Sequence, residues 1–139
     1  MLGQTARMAH HFTCRVYYED TDLAGIVYYA NYLKFIERAR TEWVRSRGID
    51  QRALKQNDGI VFAVRRVEAD YLRPAVFDDQ LTVATTLAQA TGARLVLNQT
   101  VTRDGDTLFE AVVTLVALAE NGRPARVPDA VRAALDFAV

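Results

Sequence analysis

The chain has 139 residues, of which 50% are hydrophobic and 24% charged, and its formal net charge is zero. That length suits one domain with a sizeable core of its own, and the balance excludes both intrinsic disorder and the basic footprint of a nucleic-acid binder. No apolar run reaches the ~18 residues of a membrane span, and Met1 to His11 lacks the charged-then-apolar order of a secretion signal.

Cys14 is the single cysteine and has no partner for an internal disulfide. This fits a reducing, cytoplasmic setting, with Cys14 itself read as a small buried hydrophobe. Lys34 and Lys55 are the only lysines. The excess of arginine reads as a compositional habit ahead of phosphate recognition.

In chain order, residues 1–11 read as a flexible arm and 12–139 as a single domain. Phe12 to Glu19 is rich in β-branched and aromatic residues and predicts a strand. Asp20–Ala30 crowds Asp, Thr, Asp and Gly and predicts a loop. Tyr32, Phe35, Ile36, Ala39 and Trp43 then recur at helical spacing as one apolar stripe, with Lys34, Glu37, Arg38 and Arg45 opposite. Asn31 serves as the N-cap and Gly48 as the stop. A helix from Asn31 to Gly48 spans about 25 Å, long enough to lie across a small sheet. On its surface, Arg38 and Glu42 are spaced for an i,i+4 ion pair.

Ile49–Gly59 is mixed, with room for a short helical turn. Val61–Arg73 predicts a long strand with Val61, Ala63, Val67, Ala69 and Tyr71 on one face, ended by Pro74. Leu81, Val83 and Leu87 mark the next strand, and Leu95, Leu97 and Val101 the one after the Thr91-Gly92 turn. Asp104-Gly105 predicts a tight hairpin into Thr107–Ala119, which is apolar on both faces as a central strand is. Asn121-Gly122 turns the chain once more, and Pro128–Phe137 closes it with a short helix. One long helix and about five antiparallel strands make an α+β layer pair with the sheet wrapping the helix. Pairing two copies edge to edge would cover exposed strand edges, so a dimer is expected.

The acidic turn holds Glu19, Asp20 and Asp22, and three readings compete. Asp20-x-Asp22-x-x-Gly25 opens like an EF-hand calcium loop, but Ala24 and Asn31 stand where the fifth and twelfth positions need ligands. Turn-forming and strand-ending roles suit Asp20 and Glu19. The third reading is a catalytic carboxylate: Gly25 lets the backbone return, setting Asp22 opposite the free N–H groups at the helix start, around Tyr28 to Tyr32. A carboxylate facing such a site for a developing oxyanion is the minimum kit for acyl transfer.

The run Tyr18-Glu19-Asp20-Thr21-Asp22-Leu23-Ala24-Gly25-Ile26-Val27-Tyr28-Tyr29-Ala30-Asn31-Tyr32, followed by Phe35-Ile36-Glu37-Arg38-Ala39-Arg40-Thr41-Glu42, resembles the 4-hydroxybenzoyl-CoA thioesterase family. It is most similar to the Tol–Pal-associated acyl-CoA thioesterase branch. Val64-Arg65-Arg66, the run from Tyr71 to Ala75, Asp78-Asp79 and Gly92-Ala93-Arg94-Leu95 extend the similarity from Phe12 to Ala119. The resemblance implies a hotdog fold, a homodimer or homotetramer, and hydrolysis of an acyl-CoA thioester without metal or organic cofactor.

The resemblance also implies that Asp22 is the catalytic aspartate, with the oxyanion and substrate-binding groups at Tyr28, Tyr29, Ala30 and Asn31. Tyr29 stands where many Tol–Pal-associated relatives have His and the hydroxybenzoyl-CoA enzymes tend to have Tyr, so the acyl group stays open. Tyr32 is read as core packing. Arg65, Arg66 and Arg94 are candidates for the CoA phosphates, and an acyl carrier protein is an alternative thioester carrier. Asp22 would act as general base or as nucleophile. Two rivals share the fold. A dehydratase needs a histidine, and the only two are His10 and His11, before the first predicted strand. A non-enzymatic acyl-CoA or acyl-carrier-protein binding scaffold would tolerate loss of Asp22.

Overall fold

A computed structural model describes residues 9–135 of the chain. The elements run β1 (His10–Arg15), a 3₁₀ turn (Tyr18–Asp20), α1 (Asn31–Ser46), α2 (Gln51–Asp58), β2 (Val61–Tyr71), β3 (Gln80–Ala90), β4 (Arg94–Arg103), β5 (Asp106–Leu118) and α3 (Asp129–Ala134). The five strands form one antiparallel sheet in the order β1-β3-β4-β5-β2.

The predicted stripe of α1 is buried throughout: Tyr32, Phe35, Ile36, Ala39 and Trp43 are all 3% exposed or less. It lies against β1 and β3 and meets the inward residues of β3, β4 and β5, among them Leu81, Val83, Leu97, Val101, Phe109 and Val113. A fully buried leucine, valine or aromatic side chain contributes about 1.5–3 kcal/mol, so this contact surface is the main stabilising term. Among these apolar groups Gln99 is fully buried, with every polar atom engaged. Its amide nitrogen donates to Ile36 O and Thr85 Oγ1, both at 2.9 Å, and its Oε1 accepts from Arg40 Nη1 at 3.0 Å. Burial lowers the Arg40 pKa, with Glu37 opposing that shift.

Several local expectations change. The first strand begins earlier and ends earlier than Phe12–Glu19. His10 and His11 pair with Thr85 and Ala84, so they belong to the sheet and not to an arm; residues 1–8 lie outside the described residues. Beyond Arg15, the Asp20 carboxylate takes the Tyr17 N–H and winds the chain into the 3₁₀ turn. Ile49–Gly59 holds a full helix, capped by Asp50 Oδ1 on the Arg52 and Ala53 N–H groups and stopped by Gly59 at φ +66°. Glu42 pairs with Arg45 at 2.7 Å instead of with Arg38. Val131 and Leu135 of the closing segment are buried, and Phe137 lies outside the described residues.

The largest change is in β2. Its register against β5 shifts between Val64 and Arg66, so Arg65 is the extra residue of a β-bulge. Directly paired residues share a sheet face. Phe62 and Val64 oppose Ala117 and Leu115 before the bulge, and Val67, Ala69 and Tyr71 oppose Val113, Ala111 and Phe109 after it. Those β5 residues all point to the core. Val61 and Ala63 therefore lie on the other face from Val67, Ala69 and Tyr71. The strict two-residue period assumed from sequence breaks at Arg65.

Candidate active site

The acidic turn folds back on itself. Thr21 and Val27 form an antiparallel bridge, Asp22 N donates to Ile26 O at 2.9 Å, and Tyr28 N donates to Asp20 O at 2.9 Å. Gly25 makes the reversal at φ +83°, with nothing within 4 Å of an added Cβ. The glycine is needed for its backbone conformation and not for a close approach. The segment before β3 holds the hairpin from the other side, through Val27 N to Ala75 O at 2.8 Å and an Ile26–Val76 bridge.

The two aspartates separate cleanly. Asp20 is 5% exposed, and both its carboxylate oxygens are used by the protein: Oδ2 accepts from Tyr17 N and Oδ1 from Asn31 Nδ2, each at 2.8 Å. This is the structural role read for it, with one addition. The Asn31 side chain ties the turn to the first residue of α1, so it does not cap the helix; Ala30 holds the N-cap position with helical backbone angles. Asp22 is exposed, and its Oδ1 accepts the Ala24 N–H at 2.9 Å. Its Oδ2 has no partner among the described residues.

At the start of α1 the amides divide as well. Tyr28 N–H is paired with Asp20 O, and Asn31 N–H with Tyr28 O at 2.8 Å. No acceptor among the described residues pairs with the N–H of Tyr29 or of Ala30. Around them lies an aromatic surface. Tyr28 and Tyr29 are exposed with ring centroids 5.0 Å apart, and Tyr29 meets Tyr71 edge-on at 6.2 Å. Tyr32 is core, as read: its ring stacks on Phe109 at 4.9 Å, and its hydroxyl accepts the Ala75 N–H at 3.1 Å. Burial raises the Tyr32 pKa above the ordinary phenol value.

Arg65, Arg66 and Arg94 are exposed and lie elsewhere in the chain. Arg66 and Arg94 pair with Thr114 and Val116, on the sheet face turned away from α1. Along β2 their registers fall five and eight residues from Tyr71, roughly 17 and 26 Å at 3.3 Å per residue. Arg66 is also in an ion pair with Glu68 at 3.2 Å. One chain alone does not gather these arginines at Asp22.

Sequence reasoning passed over Tyr71 as one more inward residue of β2. Its hydroxyl donates to Tyr29 O at 3.0 Å, across 42 residues of chain. No local pattern signals such a contact; only the polar tip of a strand-end tyrosine hints at it.

A long helix wrapped by a five-stranded antiparallel sheet, with Asp22 Oδ2 and the Tyr29 and Ala30 amides unpaired among the described residues at its entry, defines the hotdog class of protein. The thioesterase-like superfamily pattern matches residues 16–135, and the chain belongs to that family. The acyl-CoA thioesterase YbgC of Haemophilus influenzae is 40% identical over 125 residues, covering 88% of this chain and 91% of that protein. Among solved structures, a probable thioesterase from Bartonella henselae superposes with a TM-score of 0.83 at 37% identity, over 86% of this chain and 99% of the other. A variant 4-hydroxybenzoyl-CoA thioesterase bound to 4-hydroxybenzoyl-CoA superposes with a TM-score of 0.87 at 22% identity, over 92% and 99%. At that identity the last match bears on the fold alone.

Proposed function

We propose that this chain hydrolyses acyl-CoA thioesters, with Asp22 as the catalytic carboxylate and the N–H groups of Tyr29 and Ala30 as the oxyanion donors. The observation that carries this is the division of groups in one hairpin. Asp20, Tyr28 N–H and Asn31 N–H are consumed by the fold, whereas Asp22 Oδ2 and the Tyr29 and Ala30 amides are left available. Family membership and the similarity to an acyl-CoA thioesterase support the same reading.

The chemistry asks little more of the site. A thiol of pKa about 8.5 leaves readily as thiolate, so strong acid catalysis at sulfur is unnecessary. The helix-start amides hold negative charge as it develops on the carbonyl oxygen, and Asp22 removes a proton from the attacking water. Direct attack by Asp22 would instead form a mixed anhydride. After one turnover in ¹⁸O-water, label in the Asp22 carboxylate marks the anhydride route. In a thiol-release assay across a panel of acyl-CoAs, Asp22→Asn should lose at least 10³-fold in kcat and keep its circular dichroism spectrum and Tm. An active Asp22→Asn enzyme would falsify the assignment. Ligand protection without thiol release in the unmodified chain would point to a binding scaffold.

The working enzyme is a homodimer or homotetramer in this reading. The edge strand β2 exposes Val64, Val67 and Tyr71, and the loops beside it expose Tyr29, Leu72 and Phe77. Such an apolar edge is a liability that a second copy covers. A second copy is also what would bring Arg65, Arg66 or Arg94 to the CoA phosphates. Sedimentation showing a monomer at assay concentration, or a KM for CoA esters indifferent to salt, would count against these points. The single cysteine favours a reducing, cytoplasmic location, which fractionation of cells would test. The Tyr28 and Ala30 positions lean toward the Tol–Pal-associated branch. Comparing rates with acyl-CoA and acyl-carrier-protein thioesters identifies the natural carrier.

A further inference from the structure

We infer that Tyr71 is a positioning residue for the reaction, orienting and polarising the Tyr29–Ala30 peptide that supplies an oxyanion donor. This rests on the reading of Asp22 and the start of α1 as the hydrolytic site.

Three successive carbonyls lead into α1, and two are satisfied locally. Tyr28 O accepts from Asn31 N at 2.8 Å, and Ala30 O accepts from Leu33 N at 3.1 Å. Tyr29 O is the exception: its partner comes from the end of β2, the Tyr71 hydroxyl at 3.0 Å. A peptide group is planar, so fixing its oxygen fixes the direction of its N–H, here that of Ala30. A hydrogen bond to the carbonyl oxygen also draws electron density toward oxygen, and the N–H of the same amide becomes a stronger donor. One contact thus both aims and strengthens the group that faces the developing charge.

The Tyr71 ring is held firmly enough for that task. It packs edge-on against Phe109 at 5.0 Å, Tyr32 at 5.6 Å and Tyr29 at 6.2 Å. Phe109 is fully buried and Tyr32 nearly so, which anchors two of the three contacts in the core. Desolvation and the neighbouring Tyr29 raise the phenol pKa, so the hydroxyl remains a donor throughout the range where a thioesterase is assayed.

Tyr71→Phe keeps the ring and removes only the hydroxyl. With hexanoyl-CoA and benzoyl-CoA, one aliphatic and one aromatic substrate, the full-length variant should lose about tenfold in kcat on both, with KM within twofold and Tm within about 2 °C of the parent. The second readout is infrared difference spectroscopy of carbonyl-¹³C benzoyl-CoA bound to the Asp22→Asn enzyme. Adding Tyr71→Phe should move the thioester carbonyl band back toward its frequency in free benzoyl-CoA. A role in packing alone would leave that band in place. Parental kcat in Tyr71→Phe, or an unmoved band, overturns the proposal. If Asp22→Asn retains turnover the underlying site reading fails; if Asp22→Asn is inactive and Tyr71→Phe is unaffected, only the role of Tyr71 fails.

Discussion

Replacing Asn31 with alanine cuts the buried tie between the acidic hairpin and α1. Asn31 Nδ2 lies 2.8 Å from Asp20 Oδ1, and the two residues are 9% and 5% exposed. A hydrogen bond to a charged acceptor contributes about 1.5–3 kcal/mol. Asparagine is a poorer helix former than alanine, so the exchange returns about 0.5 kcal/mol of propensity. The net loss is roughly 1–2.5 kcal/mol, or about 3–10 °C in Tm for a domain of this size. Asp20 keeps the Tyr17 N–H, so the carboxylate is weakened in its site and not abandoned. Urea melts followed by circular dichroism, at one fixed protein concentration, give the single-variant value. A double-mutant cycle with Asp20→Ala should return a coupling of about 1 kcal/mol or more. Additive variants, or an Asn31→Ala protein within 0.3 kcal/mol of the parent, would show that the tie is not a source of stability.

Two further outcomes follow from the same region. Gly25→Ala places a Cβ in open space but at φ +83°, so it should cost about 1–2 kcal/mol through backbone strain and slow thiol release as the hairpin shifts; unchanged stability and kcat together would refute the conformational argument. Burial raises the Tyr32 pKa, so the folded chain holds that proton more tightly than the unfolded one does. That contribution is fully present below the unfolded value of about 10 and is lost as pH rises through the higher folded value. Denaturation measured from pH 8 to 11 should show an alkaline decline that Tyr32→Phe makes shallower, with Tyr71 supplying part of what remains, and an equal decline in both proteins would locate its cause elsewhere.

Much of this architecture was legible because it is periodic. The α1 stripe repeats at helical spacing over three turns, and each predicted member is buried. The Asp104-Gly105 pair has the chemistry of a tight hairpin, and both residues take the positive φ that such a turn requires. What escaped is aperiodic. A bulge at Arg65 changes the phase of β2 without changing its composition. Asn31 has the chemistry of an N-cap, but a buried carboxylate competes for its side chain and wins. The Asp50 cap and Gly59 stop of α2 are standard signals, obscured by a helix body with only Leu54 fully inward. In the candidate site, the chemistry of Gly25 signalled the reversal, and the motif nominates Asp22 for the role proposed above. The contact from Tyr71 to Tyr29 was not, because only the closed sheet brings those residues together.

The bulge at Arg65 makes β2 a strand of two phases. Its first part packs Phe62 against the core and lines, with Val64, a cavity beside Trp43 and Val44, and its second part carries Tyr71 to the start of α1. Arg65 itself is exposed, and its side chain can be exchanged at little cost to the stability of the fold. Its presence as a residue is another matter. Deleting it would set one part of the strand inside out, either withdrawing Phe62 from the core or turning Tyr71 away from Tyr29. For the fold, the position is permissive to substitution and intolerant of deletion, a sensitivity to length that no stability scan of point variants would register.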